Sequence, residues 1–392
     1  MQPRTSKKFD RKSLDILKKA AENTAIVSRG LKSNKSFCTE LPLIVGFKLT
    51  NKCNLRCKTC YEWNEEGYHH NMTDQEQRQE LDIDIFEKVI NETKGIQSNL
   101  YLWGGEPLVY SEFDKISRIL ELENRIVAIC TNGQLIHEKM DSILRLGEKL
   151  ELLIAVDGFE EENDEIRGKG TFKKVLSNIK ELLSLRRKGV FKGKISLHCV
   201  INEDMVHKLY DFLEFFEELG IDSIVLCYPW YISECTSLKM DSFYSENLGS
   251  LNNHTPSWHA FKYKFPIELY EKLLKERKRI LDRTWKLQVR FQPDLSEEGI
   301  HGFLNDKLDE SLLKYNCYSV ADRMEVLPNG HVSSCKHFPE LIIGDLSKDS
   351  VYDIWHGENY TETRKVIQKQ LMPVCTKCNN LYLHGRKIIN EK

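Results

Sequence analysis

Six apolar runs of β type alternate with helical patterns between residues 43 and 227, and this alternation leaves few folds open. The runs are LIVGFKL (43–49), NLYLW (99–103), RIVAIC (125–130), ELLIAV (151–156), KISLHCVI (194–201) and IDSIVLC (221–227). Between them LDIDIFEKVINETK, SEFDKISRILELE, HEKMDSILRLG, TFKKVLSNIKELLSLRRKG and DMVHKLYDFLEFFEELG carry apolar residues at helical spacing, and Gly189 and Gly220 suit left-handed caps. Strands separated by helices pair in parallel, and parallel sheets place their chemistry at the carboxyl ends of the strands. Beyond residue 230 the alternation breaks. Residues 231–265, rich in Ser, Asn and aromatics, read as an irregular insert, followed by a helix (266–285) and a strand, KLQVRF (286–291).

Composition narrows the function class. A net charge of -2 with 41% hydrophobic and 30% charged residues fits a globular enzyme, and argues against nucleic acid or an anionic membrane as partner. No apolar run approaches the roughly 18 residues of a membrane span, and the basic amphipathic N-terminus lacks a signal-peptide core, which places the chain in the cytoplasm. There the twelve cysteines read as metal ligands or buried thiols, not as disulfides. Cys130, Cys199 and Cys227 lie in β-type runs and read as inert core thiols, whereas Cys38 and Cys235 stay unassigned.

Directly after the first run stands CNLRCKTC, with Cys53, Cys57 and Cys60 at C-x3-C-x2-C spacing. Three thiolates leave a tetrahedral site one ligand short. Zinc completed by His69 or His70 is one reading; an iron-sulfur cluster with one iron open to an exchangeable ligand is the other. The next strand ends bear on the choice: WGGEP (103–107) follows the second, TNG (131–133) the third and VDG (156–158) the fourth. Gly104 and Gly105 permit close backbone approach, and Glu106 offers a carboxylate to a cationic amine.

Strand, C-x3-C-x2-C, helix, strand, Gly-Gly-Glu-Pro, then TNG and VDG with NDEIRG resembles the radical S-adenosylmethionine (radical SAM) superfamily over roughly residues 42–230. The resemblance implies a partial (β/α)6 TIM barrel, with Cys53, Cys57 and Cys60 holding a [4Fe-4S] cluster whose fourth iron binds SAM. It implies that Glu106 binds the methionyl amine, that Gly104 and Gly105 line the SAM site, and that Asn132 lies near the ribose. Arg167 becomes a candidate for the SAM carboxylate, and the backbone around Val200 and Ile201 for flanking adenine. Asp157 matches a substrate-side position and reads as a catalytic proton acceptor.

The last segment carries Cys317, Cys335, Cys375 and Cys378, a set that would close a zinc ribbon or a four-thiolate cluster. Its G-x4-C spacing (Gly330 to Cys335), with IGDL and DIW, resembles the SPASM and twitch extension of radical SAM enzymes. With no cysteine after Cys378, one auxiliary [4Fe-4S] cluster is expected where a full SPASM unit has two, making two clusters in all. The expected organisation is a helical segment (1–41), the partial barrel (42–230), an insert and linker (231–316) and a small SPASM/twitch-like domain (317–392).

The implied activity is that of a radical SAM oxidoreductase: SAM is cleaved reductively, a 5′-deoxyadenosyl radical takes a substrate hydrogen, and the auxiliary cluster accepts an electron. An external one-electron donor of flavodoxin or ferredoxin type is then needed. Only 42 residues precede the first strand, little room for a leader-binding module, so oxidation of a small natural-product or carbohydrate-like substrate is favoured over modification of a ribosomal peptide. For an epimerisation, Cys227 and Cys235 are the thiols to test. The alternative of another class is a non-catalytic zinc or iron-sulfur protein.

Overall fold

A computed structural model describes residues 2–9, 11–251, 255–307 and 315–384. The last eight residues of the 317–392 segment, and parts of the 231–316 segment, lie outside them.

Ten strands form one sheet. In chain order they are β1 (Ile44–Lys48), β2 (Asn99–Trp103), β3 (Val127–Thr131), β4 (Leu150–Ala155), β5 (Lys194–Val200), β6 (Ser223–Cys227), β7 (Gln288–Gln292), β8 (Arg323–Val326), β9 (His331–Ser333) and β10 (Ile342–Asp345). The spatial order is β10-β9-β8-β1-β2-β3-β4-β5-β6-β7. Pairing is parallel from β8 through β1 to β7, and antiparallel only at β8-β9 and β9-β10. The succession β1 to β6 is the expected partial-barrel order, and β7 and β10 remain as edges among the described residues.

Each crossover is helical because its sequence repeats apolar residues every three to four positions. Ile83–Glu92 buries Phe86, Val89 and Ile90, and the Asp82 side chain caps it by accepting from Asp84 N–H. Thr171–Arg187 buries Phe172, Val175, Ile179, Leu182 and Leu183, while Leu209–Leu219 buries Leu209, Phe212, Leu213 and Phe216. The second of these ends at Gly220, whose φ of 91° favours glycine.

Two features depart from the sequence reading. The 231–265 segment is not wholly irregular: Glu234–Asn247 is a helix, capped by Ser233 accepting from Thr236 N–H. Its buried face is Thr236, Ser237, Met240, Phe243 and Tyr244. Helical spacing is present, but two of the five positions are the small polar residues Thr236 and Ser237, so no apolar stripe shows. The C-terminal unit also adds its three strands to the main sheet, with Arg323–Val326 in parallel register against Ile44–Phe47. The N-terminal helix runs Arg11–Ser33, and Arg4–Thr5 pairs with Thr284–Trp285. Among the described residues no helix is long and apolar enough to cross a membrane.

Candidate active site

Every parallel strand from β1 to β7 delivers residues at its carboxyl end to one cavity of about 540 Å³. Cys53, Cys57 and Cys60 stand on the loop after β1 and line it together. The loop is pinned at both ends. Gly105 N–H donates to Thr50 O (2.9 Å) and Glu106 N–H to Lys52 O (2.8 Å), while Lys58 N–H reaches Ile166 O (2.9 Å). This approach explains the two glycines: a Cβ on Gly104 would lie 2.5 Å from Thr50 O, and one on Gly105 2.3 Å from Lys52 O. Both line the cavity, yet what forbids a side chain there is the backbone of the cysteine loop.

Glu106 is 1% exposed. It accepts from Thr131 Oγ1 (2.6 Å), Asn132 N–H (2.7 Å) and Leu108 N–H (3.0 Å). Burial pushes its carboxyl up to about 7 against these donors. Asn132 also donates through its side chain to Asn54 Oδ1 (2.8 Å), tying the TNG turn to the cysteine loop. Arg167 lines the cavity, with Nη1 3.8 Å from Cys57 Sγ.

Asp157 is placed differently from its expected substrate-side position. It is fully buried, off the cavity lining, paired with Arg167 Nη2 at 2.8 Å, and accepts Val200 N–H at 2.7 Å. Burial acts against the Arg167 charge, but Asp157 and Cys57 outweigh it and hold that charge in place. Val200 lines the cavity; Ile201 is buried in the core.

The thiols sort otherwise than the sequence suggested. Cys199 is a core residue, but Cys130 and Cys227 line the cavity. Cys227 Sγ lies 2.9 Å from His198 Nε2, and burial, with Lys336 and Arg167, pulls the His198 imidazole down to about 4. Cys235 is exposed and off the cavity. His69 and His70 do not turn toward the thiols: His69 Nε2 meets Lys48 Nζ (3.1 Å) and His70 Nε2 meets Asn64 O (2.8 Å). Among the described residues no three His, Cys, Asp or Glu are arranged to hold a single metal ion.

Cys317, Cys335, Cys375 and Cys378 gather in the C-terminal unit, near enough that each feels the charge of one or more of the others. Lys336, His337, Asn379 and Asn380, neighbours of these thiols in sequence, line the same cavity. Its remaining wall comes from the 228–263 segment, where Tyr61 stacks on Phe261 (4.2 Å) and Trp230 meets His337 edge to face (4.2 Å). The sequence reading missed His198, Tyr101 and Lys336. Alternation was the available signal for two of them, since 101 and 103, 153 and 155, 198 and 200, and 225 and 227 all turn inward.

Residues 47–213 match the model of the radical SAM superfamily, and residues 317–379 that of the SPASM iron-sulfur cluster-binding domain. The chain carries a radical SAM domain followed by a SPASM iron-sulfur cluster-binding domain. Among its relatives, pre-heme d1 synthase of Dinoroseobacter shibae is 28% identical over 49% of this chain and 45% of that protein, so this match spans less than half of the relative's length. A serine-type anaerobic sulfatase-maturating enzyme of Bacteroides thetaiotaomicron is 22% identical over 84% of this chain and 78% of that one. In fold, the chain is similar to Streptococcus suis SuiB bound to its precursor peptide SuiA, with a TM-score of 0.58 at 16% identity, covering 88% of this chain and 70% of SuiB.

Radical SAM and SPASM domains together imply SAM and two [4Fe-4S] clusters, and the residues present fit them. Each thiol set is served by backbone donors that favour a charged sulfur. Leu55 N–H approaches Cys53 Sγ (3.4 Å), and Glu62 and Trp63 N–H approach Cys60. In the second set Ser319 and Val320 serve Cys317, His337 and Phe338 serve Cys335, and Asn380 and Leu381 serve Cys378. Burial nevertheless pushes the Cys60 and Cys317 thiols up to about 12, so loading iron displaces protons from them. Gly105→Ala is expected to force the cysteine loop away, costing about 1–3 kcal/mol. Its thermal midpoint should fall, and chelator should strip iron from it faster than from wild type.

Proposed function

We propose that this radical SAM protein is an oxidoreductase in which Cys53, Cys57 and Cys60 hold the SAM-cleaving cluster, and Cys317, Cys335, Cys375 and Cys378 a closed auxiliary cluster. The observation that carries the reading is the single cavity running from the three-thiol loop to residues beside the four-thiol set. With cluster and SAM bound, one electron delivered to SAM supplies a 5′-deoxyadenosyl radical able to take hydrogen from an unactivated carbon. The protein's share is positioning. Glu106 presents a carboxylate for the methionyl amine, and Gly104 and Gly105 let the strand end close on the cysteine loop. Asn132 holds Glu106 through its backbone and faces the ribose side. Arg167, braced by Asp157, faces the SAM carboxylate, and Val200, whose N–H is also fixed by Asp157, flanks adenine. Asp157 is therefore a positioning residue in this reading, replacing its role as proton acceptor. The cytoplasm and a flavodoxin- or ferredoxin-type electron donor belong to the same proposal.

Glu106 gives a pH test. Its carboxyl titrates near 7 before SAM binds, and the methionyl ammonium requires the carboxylate. As pH falls below 7 the SAM dissociation constant is expected to rise, by up to about tenfold per unit. Glu106→Gln should flatten that dependence and weaken binding by about 10–100-fold, the worth of one charge-assisted bond. Equilibrium dialysis with labelled SAM between pH 6 and 8 measures both.

For the substrate, a small natural product or carbohydrate remains our first reading: 540 Å³ shared with SAM leaves space for one residue-sized group. Modification of a peptide side chain is the second, supported by likeness to a sulfatase-maturating enzyme over 84% of the chain. Transfer of deuterium from a labelled candidate substrate into 5′-deoxyadenosine decides between them.

A further inference from the structure

One stretch of the cavity wall carries more positive charge than its carboxylates balance. Lys336, on the residue after Cys335, sets its ammonium 4.0 Å from the Tyr101 ring centroid and 5.4 Å from that of Trp103. No carboxylate or hydrogen-bond acceptor meets it among the described residues. Arg323 lies over the same Tyr101 ring at 5.2 Å and pairs through Nε with Glu325, while its Nη2 has no hydrogen-bond partner. Glu325 is further engaged by Trp103 Nε1 at 3.1 Å. The two cations thus have one ion-paired carboxylate between them, Asp322 acting on Arg323 only through space, in a region where Arg323 is only 13% exposed. Of the other charges on the cavity, Arg167 has Asp157 and Glu62 has Lys48 at 2.7 Å, Glu106 is held by three hydrogen-bond donors, and Lys262 has no ion pair among the described residues.

Aromatic faces hold a cation but accept none of its N–H donors in the plane of a true acceptor, so Lys336 lacks the partner that a withdrawn ammonium needs. The neighbouring thiols do not need it for hydrogen bonding. Cys317, Cys335 and Cys378 each have two backbone N–H groups already. The unused donors instead border the space left for substrate, beside the stacked rings of Tyr61, Phe261 and Trp230.

We propose that Lys336 and Arg323 form a subsite for an anionic group of the substrate, a carboxylate or a phosphate, at the wall shared by β2 and the C-terminal unit. This rests on the reading of the cavity as the reaction chamber, and it narrows the substrate to a molecule with an anion attached to a body that packs on aromatic rings.

The test is anaerobic calorimetry on the reconstituted protein with SAM present, using N-acetyl-L-phenylalanine, phenyl phosphate and the uncharged N-acetyl-L-phenylalanine amide. At least one anionic probe is expected to bind about tenfold or more tighter than the amide, and the tighter of the two names the group. Lys336→Met should lower that probe to the level of the amide, and Lys336→Arg should restore most of the difference. Equal affinity for the three probes, or no binding of any, overturns the subsite on wild-type protein alone, whether or not the variants keep their iron. A preference that survives in Lys336→Met at full iron content overturns it too. It would leave the two cations as counter-charges to the auxiliary cluster, seen as a shifted midpoint potential in the variant. Formation of 5′-deoxyadenosine by the same wild-type preparation is read separately. Its failure would count against the proposed function, and a lack of anion preference against the subsite.

Discussion

Cys60→Ala is expected to leave a folded protein that holds about four irons where the wild type holds about eight, and that no longer produces 5′-deoxyadenosine from SAM and dithionite. The fold survives because Cys60 sits on the loop after β1 and no strand pairing depends on its side chain. The cluster does not, because the loop supplies three thiols and the nearby histidines are committed elsewhere, His69 to Lys48 and His70 to Asn64. The four thiols at 317–378 share no residue with this loop, so their iron should remain and keep its own electron paramagnetic resonance signal. Retention of about eight irons by Cys60→Ala would mean that another group completes the site.

Asp157→Ala is expected to destabilise the cluster-free protein by about 3–5 kcal/mol, because it leaves the Arg167 guanidinium withdrawn from water without its carboxylate. It also frees Val200 N–H, which has Asp157 as acceptor. Changing both partners, Asp157→Leu with Arg167→Met, should recover much of the urea midpoint, since replacing a buried pair by apolar residues costs little. SAM binding separates structure from function here. The double variant should fold yet bind SAM weakly, having lost Arg167. A proton acceptor acting on substrate would behave otherwise: Asp157→Ala would keep its stability and SAM affinity, and lose only turnover.

The parallel sheet and the position of its active edge were legible because both rest on local pattern: apolar runs broken by amphipathic helices, with cysteines and glycines at the breaks. The same locality limited the reading. Asp157 was correctly placed after the fourth strand, but only the fold brings Arg167 across to occupy it. Gly104 and Gly105 were read as room for a ligand, whereas the carbonyls that exclude their side chains belong to Thr50 and Lys52. Cys130 and Cys227 looked like core thiols because an inward position in an open barrel and a buried position in a sheet have the same apolar neighbours in sequence. The helix Glu234–Asn247 was hidden by Thr236 and Ser237 on its buried face. Lys336 carried no signal of its own beyond adjacency to Cys335, since its meeting with Tyr101 joins residues more than two hundred positions apart.

We propose that the two thiol sets do different work, one loop left open for SAM and one set closed around its cluster. Anaerobic reconstitution of the full chain, followed by SAM and dithionite with 5′-deoxyadenosine and iron measured on the same sample, tests it most directly. About eight irons per chain are expected, with 5′-deoxyadenosine formation that the four single alanine variants at 317, 335, 375 and 378 retain while losing about four irons. A fully loaded wild-type protein that leaves SAM intact would contradict it.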